Sequence, residues 1–321
     1  MPKKTKRRKN QKMKNQKMKI QKTKRMKKRR RTRRKRQQKR RRRRSEKKKI
    51  HQKKFINEKC SPKEDGETLE YSCYTQEALH KLKDIWNARH QDVKIKTNNT
   101  REIWESLRRF MSSSCNKESC WLKHKCLKEG LDSSIVQNTF APYQPLEWKK
   151  KPNEWLSSVD IQKVMKQYEK AYKCFEFLGP SPIDFDNHKL YGECVWEELC
   201  KFNLIDFIKR KKTKIGIIFN LDKHTQPGSH WVGMFINTKK KQITYMDSYG
   251  DPAPKEVNEL AQRIQKQSQS LETPYVYNTT TLRHQYSNSE CGMYCLHFII
   301  ESVKGKDWTY FNKMKISDKK M

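Results

Sequence analysis

A change of hydrophobic period partway along this 321-residue chain predicts an α+β fold. From Thr75 to about Phe207 the apolar residues fall at helical spacing. Three short apolar runs that suit strands follow: Ile215-Gly-Ile-Ile-Phe219, Trp231–Ile236 and Gln242–Met246. The turn Asn237-Thr-Lys-Lys-Lys241 joins the last two as a hairpin, so the sheet is expected to be mainly antiparallel, with helices on either side. Helical spacing resumes through Val257, Leu260 and Ile264, before a fourth strand near Tyr275–Thr281. A helix then starts at Cys291 and is apolar on nearly every side, through Met293, Tyr294, Leu296, Phe298, Ile299, Ile300 and Val303. Such a helix belongs inside a core.

The formal charge of +40 is unevenly spread. Residues 1–54 hold 33 Lys and Arg against one acid, so +32 of the total lies there. The other 267 residues carry 42 Lys and Arg against 34 acids, or +8. Beyond scattered Met and Ile20, that first stretch has almost no apolar side chains to offset chain entropy. A disordered basic tail over residues 1–58 is expected. The run Arg29–Arg44 is a polyelectrolyte that should hold nucleic acid or another polyanion with steep salt dependence and little sequence preference. No apolar h-region follows the positive start and no apolar run reaches about 18 residues, so neither a secretory signal nor a membrane span is expected.

Ten cysteines in a long chain without a secretory signal point to reduced thiols. Cys115, Cys120, Cys126 and His124 cluster loosely, but no C-x-x-C pair occurs and the spacing is poor for zinc. His224 and His230 flank a glycine-containing loop with no companion ligand nearby in sequence. Neither a metal nor another cofactor is expected.

A helical accessory module is expected over residues 70–140. Thr75 caps a helix carrying Leu79, Leu82, Ile85 and Trp86. Asn99 caps a second, with Glu102 as capping-box partner and Ile103, Trp104, Leu107 and Met111 on one face. Trp121, Leu122 and Leu127 form a third apolar patch, and Phe140–Pro152, with three prolines, reads as a connector. The next domain is expected over residues 152–305. In it, Ser157 or Ser158 caps a helix with Val159, Val164 and Met165 that ends near Tyr172. Gly179-Pro-Ser-Pro182 breaks the chain, and Val195, Trp196, Leu199, Cys200 and Leu204 mark a helix over Glu193–Phe207. Residues 306–321 are expected to be a C-terminal tail.

Reactive side chains fall at the ends of these elements. His230 opens a strand, Asp247 closes the next one 17 residues later, and Cys291 opens the buried helix with Gln285 six residues before it. Pairing the hairpin strands brings His230 and Asp247 to one edge of the sheet, where a carboxylate can hold an imidazole. Helix-end N–H groups and the macrodipole favour a thiolate at Cys291. Asp251 and Asp222 are alternative carboxylates, while His284 lies in the loop beside Gln285. His297 and Cys295 lie further along the helix and read as core residues. By itself Cys291 also fits a buried structural cysteine.

Gly-Ser-His230-Trp231, Tyr-Met-Asp247-Ser248 and the stretch from Gln285 to Glu290-Cys291-Gly292 together resemble the SUMO and ubiquitin-like-protein-specific protease family, adenain included. Trp155-Leu156-Ser-Ser-Val-Asp160-Ile161 is similar to the tryptophan–leucine motif that starts that family's protease domain. The helical module and the basic tail lie outside the general family pattern, and residues 70–200 look more like relatives encoded by large DNA viruses. The resemblance implies a papain-like/adenain-like core over residues 152–305, with the nucleophile on a central helix. It also assigns roles: Cys291 as nucleophile, His230 as general base and acid, Asp247 as orienter of the imidazole, and Gln285 as oxyanion donor. The family's tryptophan-lined substrate channel maps onto Trp155 and Trp231, implying cleavage after a small residue of a Gly-Gly or Gly-X pair.

The expected activity is thus a thiol endopeptidase acting on viral structural precursors or ubiquitin-like conjugates, within a virion or the interior of an infected cell and not secreted. Two other readings use the same residues. An acetyltransferase of this architecture would pass the acyl group to another amine, and a nucleic-acid-binding virion protein would keep the core without the reaction.

Overall fold

The computed structural model describes residues 58–63, 67, 69–115, 117–271 and 274–321, together with residue 37. The basic tail expected over residues 1–58 therefore lies almost wholly outside the described residues.

Helices α1 (Gln76–Arg89) and α2 (Thr100–Met111) start where their caps place them. The Thr75 hydroxyl accepts from Ala78 N–H at 3.2 Å, and Asn99 Oδ1 accepts from the N–H groups of Arg101 and Glu102. Glu102 does not close a capping box. Its carboxylate accepts from the Thr97 hydroxyl at 2.7 Å instead, because Thr97 turns back over the helix start. Leu79, Leu82 and Trp86 of α1 pack on Ile103, Trp104, Leu107 and Met111 of α2, with Trp121, Leu122 and Leu127 completing a separate core. Burying apolar faces of this kind contributes roughly 1.5–3 kcal/mol per large side chain.

Helix α3 (Ser158–Ala171) opens with a reciprocal capping box between Ser157 and Asp160. It buries Ile161 and Met165 while Val159 stays exposed. The sheet has five strands in the order β1 (Phe175–Pro182), β2 (Lys214–Asn220), β3 (Trp231–Asn237), β4 (Gln242–Met246) and β5 (Val276–Thr279). Its centre, β2–β3–β4, is antiparallel, while β1 pairs parallel to β2 and β5 parallel to β4. The stretch Gly179–Pro182, expected to break the chain, is the end of β1. An edge strand tolerates prolines because one side of its backbone makes no ladder bonds.

Period-two alternation sends the strand side chains to two cores. Ile215, Ile217, Phe219, Val232, Met234 and Ile236 face α4 (Lys255–Gln269) through Val257, Leu260 and Ile264. Ile218, Phe235, Trp231 and Met246 face α3 and the apolar helix α5 (Cys291–Val303). Gly216 and Gly233 allow α5 to lie close: an added Cβ would come within 2.8 Å of Ile299 Cγ2 at the first and 2.9 Å of Phe298 Cδ1 at the second.

Three expectations need correction. The helix expected over Glu193–Phe207 is two short ones, Glu197–Cys200 and Leu204–Lys209, since Asn203 caps the second through its side chain. Residues 306–321 are no tail: Trp308–Lys313 is helical, and Phe311 and Ile316 are buried in the core around α5. Reduced thiols are likewise not what the fold shows for six of the cysteines. Cys60–Cys73, Cys115–Cys120 and Cys194–Cys200 are disulfides, with Cα separations of 5.1, 5.5 and 6.2 Å. Chain folding creates that proximity, and sequence spacing alone does not reveal it.

Candidate active site

Strand ends and a helix start build the site. His230 stands one residue before β3 and Asp247 one residue after β4, and Gly233 faces Met246 in the ladder between them. The hairpin register thereby places imidazole and carboxylate at the same open end. His230 Nε2 meets Asp247 Oδ1 at 2.8 Å, with 13% and 3% of the two side chains exposed. A carboxylate accepts only, so Nε2 carries the proton, and the other ring nitrogen is left for Cys291, which hydrogen-bonds the imidazole.

Burial lowers the pKa of His230, but its hydrogen bonds to Asp247 and Cys291, and the negative charge of both, outweigh that and push it up to about 9. The imidazolium is therefore the favoured form between these two groups. Cys291 itself is buried at the first turn of α5. No side chain caps that helix start, so its first N–H groups remain available to an anion beside the sulfur.

Gln285 is fully buried in the loop that precedes α5. The Ser248 hydroxyl donates to its Oε1 at 2.7 Å, which fixes Nε2 as the donor end of the amide. Nε2 donates to Ser287 O at 2.8 Å and, more weakly, to the Tyr249 hydroxyl at 3.5 Å. Ser248 also anchors the loop backbone, its carbonyl accepting from the N–H groups of His284 and Gln285.

Tyr249 is the residue that sequence reasoning missed. Its ring stacks on His230 at 4.8 Å, its N–H donates to Asp247 Oδ1 at 2.9 Å, and its hydroxyl donates to Ser287 O at 3.1 Å. The Arg283 guanidinium also lies over the Tyr249 ring, 5.3 Å from its centroid. The only signal was position, two residues beyond the strand-end aspartate.

The competing carboxylates have other work. Asp222 accepts from Gly228 N–H and the Ser229 hydroxyl, shaping the loop before His230, and Asp251 is exposed. His284 Nδ1 accepts from Ile316 N–H, and burial lowers the pKa of His284.

The two tryptophans part company. Trp231 is only 6% exposed, its indole N–H donates to Leu156 O at 3.2 Å, and its ring lies 3.4 Å from a Cβ added at Gly292, beside the nucleophile. Trp155 is 41% exposed and borders an open hollow of about 480 Å³ with Lys151, Pro152, Asn153 and Glu154. Leu156 packs against Gly292, where an added Cβ would meet it at 3.1 Å.

Residues 159–321, half of the chain, match the C-terminal catalytic domain of the Ulp1 protease family. The chain belongs to that family. A protein of Acanthamoeba polyphaga mimivirus named as a thiol protease is 30% identical over 193 residues, which is 60% of this chain and 62% of the relative. The chain thus spans less than two thirds of that relative's length. A cysteine protease of African swine fever virus is 25% identical over 236 residues, 69% of this chain and 85% of the viral protein. A crystal structure of the African swine fever virus protease superposes with a TM-score of 0.58 at 20% identity, covering 83% of this chain and 94% of that one, a likeness of fold.

Among the described residues, one further group has metal-ligand chemistry: His188, Cys194 and Cys200, with ligand atoms within 4.8 Å of one another. Its two sulfurs are joined as a disulfide. Cys115 and Cys120, considered above with His124 and Cys126, are joined in the same way.

Proposed function

We propose that the chain is a thiol endopeptidase whose reacting groups are Cys291, His230, Asp247 and Gln285. The relay from Asp247 through His230 to Cys291 carries this reading. In the reaction, the Cys291 thiolate attacks the scissile carbonyl carbon and the carbonyl electrons move onto oxygen. In this reading the Cys291 backbone N–H and the Gln285 side chain donate to that oxyanion, each such donor contributing roughly 3–4 kcal/mol to the transition state. The intermediate collapses as the C–N bond breaks, and the His230 imidazolium gives its proton to the departing amine. Water then adds to the thioester, with His230 taking its proton, and the acid is released.

Crowding of Leu156 on Gly292 beside the nucleophile supports a substrate that is thin at the scissile bond, such as a Gly-X pair. Trp155 offers the exposed aromatic face against which that backbone would lie. The charge of +32 on residues 1–54 supports a tether to nucleic acid or another polyanion, which would hold the enzyme among structural precursors inside a particle.

Incubating the purified chain with peptides containing Gly-Gly and Gly-X, and sequencing the products by mass spectrometry, tests the reading. New termini after Gly-X in wild type and none with Cys291→Ala are expected. Acetyl transfer to a lysine without peptide cleavage would overturn it.

A further inference from the structure

The stretch after α5 returns over the loop that carries Gln285 and binds it at several points. Asn312 Oδ1 accepts from Thr281 N–H at 3.0 Å, and Lys315 Nζ donates to the Tyr286 hydroxyl at 2.8 Å. Ile316 is buried, and its N–H donates to His284 Nδ1 at 3.2 Å. Beyond it, Asp318 gathers three donors. Oδ2 accepts from Tyr286 N–H at 3.0 Å and Ser287 N–H at 3.1 Å, and Oδ1 accepts from the Tyr294 hydroxyl at 2.7 Å. Tyr294 is fully buried and belongs to α5, so one carboxylate ties the loop to the helix that begins at Cys291.

Ser287 is the residue that matters most here. Its carbonyl accepts both the Gln285 amide and the Tyr249 hydroxyl, and the Tyr249 ring stacks on His230. Fixing the Ser287 N–H therefore fixes the peptide whose neighbouring carbonyl orients two groups of the site.

We infer that Asp318 is a positioning residue for catalysis, holding the Tyr286–Ser287 backbone so that Gln285 and Tyr249 keep their places beside Cys291 and His230. This rests on the peptidase reading above. Burial works against the Asp318 charge, but hydrogen bonds from Tyr294, Tyr286 and Ser287 outweigh it and hold the carboxyl below its usual range. The acceptor is thus ionised at neutral pH, where charge-assisted hydrogen bonds are strongest.

A test compares wild type with Asp318→Ala and Asp318→Asn in the whole chain. Three quantities are read: kcat and KM on a cleaved peptide, the rate of Cys291 alkylation by iodoacetamide, and hydrogen exchange at the Tyr286 and Ser287 amides. Asp318→Ala is expected to speed exchange at those amides and lower kcat roughly ten- to a hundredfold. KM and the alkylation rate should stay within about two-fold, since the Cys291–His230 pair is untouched. Asp318→Asn, which keeps an acceptor oxygen, should recover most of kcat. Unchanged kcat and exchange would overturn the inference, and so would kcat and alkylation falling together, which marks general loss of structure. A wild-type chain that cleaves no peptide defeats the peptidase reading, and in that case the exchange comparison alone decides whether Asp318 holds the loop.

Discussion

Asp247 Oδ1 lies 2.8 Å from His230 Nε2 at the open end of the β3–β4 hairpin. This contact selects the imidazole tautomer, because the nitrogen facing a carboxylate must carry hydrogen. Replacing Asp247 by Asn puts an N–H donor there and lets the ring reverse its protonation. Asp247→Asn is expected to lower kcat on the order of 10³–10⁴-fold with the fold intact. Steady-state kinetics together with circular dichroism checks both halves of that statement.

The raised pKa of His230 has a sign that can be tested. A histidine whose folded-state value exceeds its unfolded one contributes stability fully below the unfolded value. Here the contribution is complete below 6.5 and is lost as pH rises through about 9. The melting-temperature gap between wild type and His230→Ala should be widest near pH 6 and should close as pH rises through about 9. Differential scanning fluorimetry across that range measures it.

Gly233 lets Phe298 approach the sheet. Gly233→Ala places a methyl against the ring of a helix that cannot retreat without moving Cys291. A loss of about 1–3 kcal/mol is expected from urea unfolding, with kcat falling as well.

The two tryptophans should separate cleanly in kinetics and stability. Trp155→Ala removes an exposed ring and is expected to raise KM with the melting temperature unchanged. Trp231→Ala empties a buried site that also holds Leu156, and should cost about 3–5 kcal/mol in denaturant titrations.

The disulfides predict a redox pattern of their own. Peptide maps under non-reducing conditions should contain the Cys60–Cys73, Cys115–Cys120 and Cys194–Cys200 pairs. Breaking the first, which closes a 13-residue separation, should cost the accessory helices about 3 kcal/mol. Alkylation of Cys60 and Cys73 in unreduced native protein would count against the pairing.

Several of these features are legible in the sequence. His230, Asp247 and Cys291 stand at element ends, and element ends follow from hydrophobic period. The hairpin register then does the rest, because the short turn closed by the Asn237–Gln242 pair fixes which residues of the two strands lie opposite one another. Strand β1 was hidden by Gly179, Pro180 and Pro182, residues that break a central strand and not an edge strand. Tyr249 and Asp318 carried no local pattern at all. Their roles depend on which loops meet in space, as do the cysteine pairs and the tucking of Phe311 and Ile316 under α5.

The claim on which the account turns is that His230 activates Cys291. Alkylation of Cys291 by iodoacetamide at pH 7, compared between wild type and His230→Ala, measures this without any knowledge of substrate. Peptide mapping assigns the label among the cysteines outside the three disulfides, which among the described side chains are Cys174, Cys291 and Cys295. Fast labelling of Cys291 in wild type and a fall of at least roughly tenfold in the variant are expected. Equal labelling in the two proteins would contradict the claim.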